Sequence, residues 1–263
     1  MKNTQRLLQV MQQLRDPKSG CSWDKKQNFT SLIPYTLEEA YEVVDAIERD
    51  DMQDLQGELG DLLFQVVFHS QLAQEQGLFD FEQVAGGIAD KLTRRHPHVF
   101  SDVVYANETE QKQAWEILKA AERAEKEAEN HTILSGVAKN LPALVQSKKI
   151  QDKAANHGFD WTEIEPVYDK VLEELDEVKE AWESGDQEHT EEEIGDLLLV
   201  AVNLARHMNV DPEQALKKST QKFTKRFEYI EQKVAQSGRE VKKCELSELD
   251  ALWNEAKIAF KKL

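Results

Sequence analysis

Cysteine is scarce in this chain: 263 residues hold two, Cys21 and Cys244, far apart and in no metal-type pair. A disulfide scaffold and a Cys/His zinc site are thereby excluded, and two reduced thiols in a cytoplasmic protein are expected. Long apolar runs are also missing. The most apolar stretches, "LGDLLFQVVF" and "IGDLLLVAVNLA", contain acids and are too short to cross a bilayer. The segment "MKNTQRLLQVMQQLRD" carries charges inside an amphipathic pattern, unlike the apolar core of a secretory leader. A soluble protein with no membrane partner is expected. Basic charge is in deficit, and a formal charge of −17 opposes binding to nucleic acid polymers and anionic membranes. A nucleotide substrate stays open, because a bound divalent cation inverts the local field. P-loop, Gly-x-Ser-x-Gly and Gly-rich dinucleotide patterns are absent.

What the chain does contain, it contains twice. Glu38, Glu39 and Glu42 recur as Glu173, Glu174 and Glu177, and at the same displacement Glu58 and Asp61 recur as Glu193 and Asp196. The correspondence continues at slightly different offsets. "DKLTRR" from Asp90 matches "QKFTKR" from Gln221, aligning Lys91 with Lys222 and Arg95 with Arg226; "WEILK" from Trp115 matches "WNEAK" from Trp253. A duplication explains this better than chance. Apolar periodicity is lost near the middle, so a first domain over 1–125, a linker over 126–140 and a second domain over 141–263 are expected, each of ordinary domain size.

The periodic segments read as helices, and the expected fold class is all-α, in tandem helical-bundle domains. Leu7, Leu8, Met11 and Leu14 follow the helical spacing, as do Leu37, Tyr41, Val44 and Ile47, with Thr36 as a candidate N-cap. Leu59, Leu62, Leu63, Val66 and Val67 form a further stripe, echoed by Leu172, Leu175 and Val178 and by Leu197, Leu198, Ala201, Val202 and Ala205. No alternating strand run with hairpin chemistry is present.

Residues three or four apart share a helix face, so each half places its acids as neighbours, which slightly destabilises an isolated helix. A hard cation between the helices would make that arrangement favourable. A single Glu-rich helix is ordinarily a solvated acidic face. Against that stand the apolar "LL" pairs after Asp61 and Asp196, and Gly60 and Gly195, which interrupt helix patterns at a cost of roughly 1 kcal/mol relative to Ala. These glycines suggest close approach of another segment or a ligand. A di-iron bundle needs Glu-x-x-His, which is absent. Oxygen-ligated Mg²⁺ fits, and His69, His207, His96 and His98 read as packing, surface or turn residues.

The pattern Glu-Glu-x-x-Glu, a spacer, then Glu-x-x-Asp resembles the signature of the MazG-type nucleoside triphosphate pyrophosphohydrolases, in the company of "LRDPKSGCSWDKKQNF", "GELGDLLFQVVFHS", "DKLTRRHPHVF" and "GFDW". The resemblance covers essentially the whole chain. It implies an all-α fold, Mg²⁺ dependence with Mn²⁺ as a substitute, a homodimeric or higher assembly, and hydrolysis of NTPs to NMP and pyrophosphate. It carries metal ligation to Glu174, Glu177, Glu193 and Asp196, and formally to Glu39, Glu42, Glu58 and Asp61. Glu173 or Glu38 is the candidate for orienting or deprotonating the attacking water. Lys170, Lys222 and Arg226, with Lys91 and Arg95, are candidates for phosphate; Trp253, Trp115 and Lys119 are candidate nucleotide contacts. Lys170 has Tyr35 as its first-half counterpart, so the second half is expected to carry most of the activity. A narrower dUTPase-like or phosphoribosyl-ATP pyrophosphohydrolase-like enzyme, or a non-catalytic helical dimerisation module, are the alternatives.

Overall fold

A computed structural model describes residues 2–126 and 132–260, except for the side chains of 112, 116, 119–121 and 123–126. The chain divides into two compact units, Met1–Lys126 and Glu127–Leu263. All regular structure among the described residues is helical. The first unit runs α1 (Lys2–Leu14), a 3-10 turn (Asp24–Lys26), α2 (Ile33–Glu48), α3 (Met52–Glu75), α4 (Phe81–Arg95), α5 (Pro97–Phe100) and α6 (Glu108–Lys126). The second runs α7 (Ala143–Ala155), α8 (Glu165–Ser184), α9 (Gln187–His207), α10 (Pro212–Gln236), a 3-10 turn (Val241–Lys243) and α11 (Leu246–Ala259).

Each unit is built on a helical hairpin, α2 with α3 and α8 with α9, and these are the most extensive helix pairings in their units. The duplication extends to the backbone of the connections. Asp50 (φ 55) and Gly185 (φ 74) hold the matching left-handed position between the paired helices. The next residue then caps the second helix: Asp51 accepts from the Asp54 amide, and Asp186 from the amides of Glu188 and His189. After α3 and α9 a left-handed residue recurs, Gly77 (φ 68) and Asn209 (φ 55), ahead of the capping aspartates Asp80 and Asp211. Short connections with fixed caps set the register of the hairpins, and thereby which carboxylates face one another.

In the first unit Met11, Leu32, Val67, Phe68 and Leu72 form a buried cluster, joined by Leu7, Leu8 and Leu14 of α1. Arg15 crosses its edge, pairing with Glu75 at 2.6 Å and donating to the Asp24 carbonyl. Thr36 is not an N-cap. The helix starts earlier, at Ile33, where Pro34 occupies the first turn; the Thr36 hydroxyl donates to the Leu32 carbonyl at 3.0 Å and meets His69 Nε2 at 3.1 Å. The apolar stripes also divide differently from the expected single buried face. Val67 and Val202 are buried, whereas Leu37, Tyr41, Ile47, Leu59 and Leu63 of the first hairpin and Leu172, Leu175 and Leu198 of the second are exposed. A two-helix layer covers each helix on one side, and a stripe wider than that contact leaves part of itself uncovered.

Candidate metal centre

The acids converge where the hairpins bring their facing helices together. In the second unit Glu174 and Glu177 of α8 and Glu193 of α9 each place a carboxylate oxygen within 4.8 Å of the others. Glu174 is buried, at 4% exposure. Lys170, one turn earlier, reaches Glu174 at 2.7 Å and Glu173 at 2.8 Å, so its ammonium sits between the two carboxylates. The other oxygen of Glu174, Oε2, is buried with no hydrogen-bond partner. A buried carboxylate oxygen without a donor is costly, and convergent carboxylate oxygens are the environment a hard divalent cation satisfies. The residues therefore fit a metal ion. Burial, together with the neighbouring Glu174, Glu193 and Glu173, holds the Glu177 carboxyl above its ordinary range, against the opposing pull of Lys170.

The first unit repeats the arrangement with a different membership. Glu39 of α2 and Glu58 and Asp61 of α3 lie within the same 4.8 Å. Burial and then the charges of Asp61, Glu42, Glu58 and Glu38 push Glu39 up, while Glu58 is raised by burial and by Glu42, Asp54 and Asp61. No cation offsets these charges from the Lys170 position, where Tyr35 instead packs edge-on against Trp23 with ring centroids 5.6 Å apart. Glu42 and Asp196, both exposed, lie outside the two convergent groups.

The structure tests the glycine reading directly. A Cβ added at Gly60 or Gly195 would meet nothing within 4 Å, so no described segment of the chain approaches either. Some of the other predicted contacts have partners of their own. Arg226 of α10 lies over the Trp253 ring of α11 at 5.4 Å, and Phe223 packs on the same ring at 5.1 Å. Arg95 is held by Glu122 at 2.6 Å. Among the described residues no hydrogen bond or ion pair ties Lys222 or Arg226 to the carboxylates. Lys91, on α4, likewise forms none with them, and the Lys119 side chain lies outside the described residues.

One contact escaped the sequence reading. His189 Nε2 meets Glu193 at 3.1 Å, a pair available in the sequence at i, i+4 spacing.

Comparison with known proteins decides the family. The MazG nucleotide pyrophosphohydrolase domain matches residues 27–100 and again 163–230. The chain belongs to the MazG family. The two MazG matches enclose the two carboxylate groups, and Trp115, Lys119 and Trp253 fall outside them. The chain is 51% identical to the nucleoside triphosphate pyrophosphohydrolase of Escherichia coli (strain K12), over 98% of both chains. It is 43% identical to a nucleoside triphosphate pyrophosphohydrolase/pyrophosphatase MazG of Thermotoga maritima, over 95% of this chain and 94% of that one. It also matches an uncharacterised protein, YabN of Bacillus subtilis, at 41% identity, over 94% of this chain and 50% of the relative. No described helix is long and apolar enough to cross a membrane.

Proposed function

We propose that this MazG-family chain is a Mg²⁺-dependent nucleoside triphosphate pyrophosphohydrolase of broad nucleotide specificity, converting NTPs and dNTPs to monophosphates and pyrophosphate. The observation that carries the reading is the Glu174–Glu177–Glu193 group with its buried, unpartnered Glu174 oxygen, inside a matched family segment. Glu174, Glu177 and Glu193 would hold the cation, with Asp196 proposed as a further ligand. When bound, Mg²⁺ neutralises triphosphate charge and makes a water more acidic; Mn²⁺ offers similar chemistry.

The chain's own residues divide the remaining work. Water attacks the α-phosphorus, its proton passes to a carboxylate, and the bond to the bridging oxygen breaks to release pyrophosphate. Glu173 is the proposed proton acceptor, since Lys170 fixes one of its oxygens and leaves the other for the water. Lys170 is also proposed to offset charge on the departing phosphate. Lys222 and Arg226 are proposed to meet phosphate, and Trp253 the base. Glu38, Glu39, Glu42, Glu58 and Asp61, with Lys91, Arg95, Trp115 and Lys119, are the first-unit counterparts or additional contacts. Because Lys170 has no cationic counterpart there, the second unit is proposed to carry most turnover. The test is pyrophosphate release from ATP and the four dNTPs with Mg²⁺ and with chelator. No release from any nucleotide by the folded chain would reject the enzyme reading and favour a dimerisation module.

The proposed assembly is a homodimer. The exposed apolar residues of the two hairpins and the open space above Gly60 and Gly195 give helices of a second copy a surface to cover. Light scattering should report twice the chain mass, with Leu198→Glu shifting it toward one.

A further inference from the structure

A polar contact of the second hairpin takes no part in the hydrolytic reading. The Asp186 side chain caps α9, accepting from the backbone amides of Glu188 and His189 at 3.0 and 3.2 Å. The cap fixes His189 in the first turn of the helix, and Glu193 stands one turn further on. His189 Nε2 meets Glu193 Oε1 at 3.1 Å. An ionised carboxylate only accepts, so the imidazole carries a proton on Nε2 and donates it. A surface pair of this kind ordinarily adds little to stability, and the His189 side chain is 48% exposed. Its partner is differently placed. The Glu193 side chain is 14% exposed and belongs to the convergent group with Glu174 and Glu177.

Carboxylates that converge without a cation repel one another, and a glutamate side chain has several torsions through which to swing away. A donor on one oxygen restrains that swing and leaves the other oxygen for a cation. Lys170 does this for Glu174, holding Oε1 while Oε2 stays unpartnered. His189 does it for Glu193 from the other helix of the pair. The histidine itself lies outside the convergent group, so its action passes through Glu193. The first unit supplies the contrast. Asp51 caps α3 as Asp186 caps α9, accepting from the Asp54 amide at 3.0 Å. Asp54 thus takes the place of His189, four residues before Glu58. Ionised, it has no proton to give, and its side chain pairs with Arg49. Burial, then Glu42 and Asp54, push the Glu58 carboxyl up. The same capped turn presents a donor to Glu193 and a like charge to Glu58.

We propose that His189 is a positioning residue of the second metal centre, its Nε2–H holding the Glu193 carboxylate in the orientation that receives a divalent cation. This role presupposes the metal reading above but not hydrolysis. Mn²⁺ binding to the intact chain, followed by the EPR signal of free Mn²⁺, measures it. A Glu58→Gln background removes a carboxylate from the first convergent group, so that the titration reads the second. In that background His189→Leu should weaken Mn²⁺ binding about tenfold or more. His189→Gln, whose amide restores an N–H donor, should stay close to the parent. His189→Asp, which brings in a like charge as in the first unit, should bind at least as weakly as His189→Leu. Circular dichroism verifies that each chain is folded. Unchanged affinity in the His189→Leu and His189→Asp chains would overturn the proposal and leave the metal centre standing. Equal losses in His189→Leu and His189→Gln would also overturn it, since a donor alone would then not suffice. Absence of Mn²⁺ binding in the parent would overturn the metal reading and this role together. The predicted order of affinities without pyrophosphate release from any nucleotide would reject the hydrolase alone.

Discussion

At the scale of single residues, Glu174 and Glu39 occupy matching places in two acidic hairpins that differ by one lysine. Glu174 is buried against an ammonium, whereas Glu39 faces only other acids. Lys170→Met should therefore leave a buried carboxylate without its counter-charge and lower the stability of the metal-free chain by about 2 kcal/mol, measured by urea unfolding. Glu39→Gln should do the opposite. A carboxyl whose folded pKa is raised stabilises the fold while protonated, below its unfolded value, and that contribution is lost as pH rises through the folded pKa. The metal-free Glu39→Gln chain should accordingly melt higher than the parent at pH 7–8, with the gain vanishing near the ordinary carboxylate range of about 4. Differential scanning calorimetry in chelator checks both the sign and the pH dependence. The acids were legible from their spacing alone, because i, i+3 and i, i+4 neighbours must share a face. The exclusion of Glu42 and Asp196 from the convergent groups was not, since it depends on rotamers that periodicity does not encode.

At the scale of elements, the hairpins carry the convergent acids and α1 braces the first of them. Arg15 ties the end of α1 to Glu75 at the end of α3 and to the backbone carbonyl of Asp24. Its guanidinium holds the Glu75 carboxyl below the usual range. A depressed carboxylate contributes stability above its unfolded pKa and loses it as pH falls through the folded one. Arg15→Met should cost about 2 kcal/mol at neutral pH, with the difference from the parent shrinking below pH 4; thermal melts across pH 3–7 measure it. Helix existence was readable from the apolar spacing. The start of α2 was not, because Thr36 looks like a cap while Pro34 in the first turn sets the helix at Ile33. Nor could the spacing say how much of a stripe is covered. Leu37 and Val67 are equally apolar in sequence, and only the position of the partner helix exposes one and buries the other.

At the scale of the whole molecule, one hairpin design has been kept twice, down to the left-handed connector and the capping aspartate, while the surroundings have diverged. The second hairpin holds a lysine beside its carboxylates; the first holds a tyrosine there and has a histidine-lined aromatic cavity elsewhere in its unit. The duplication was visible in the sequence because it preserves the acids at a constant displacement. The proposed division of labour rests on single positions such as Lys170, whose meaning appears once its neighbours are known. The central claim is that the second hairpin is the hydrolytic one. Its most direct test is the Mg²⁺-dependent rate of pyrophosphate release from ATP by Glu193→Gln and Glu58→Gln chains, each verified as folded. The account predicts that Glu193→Gln loses on the order of 100-fold or more while Glu58→Gln stays near the parent. Near-parental turnover in Glu193→Gln with loss in Glu58→Gln would contradict it.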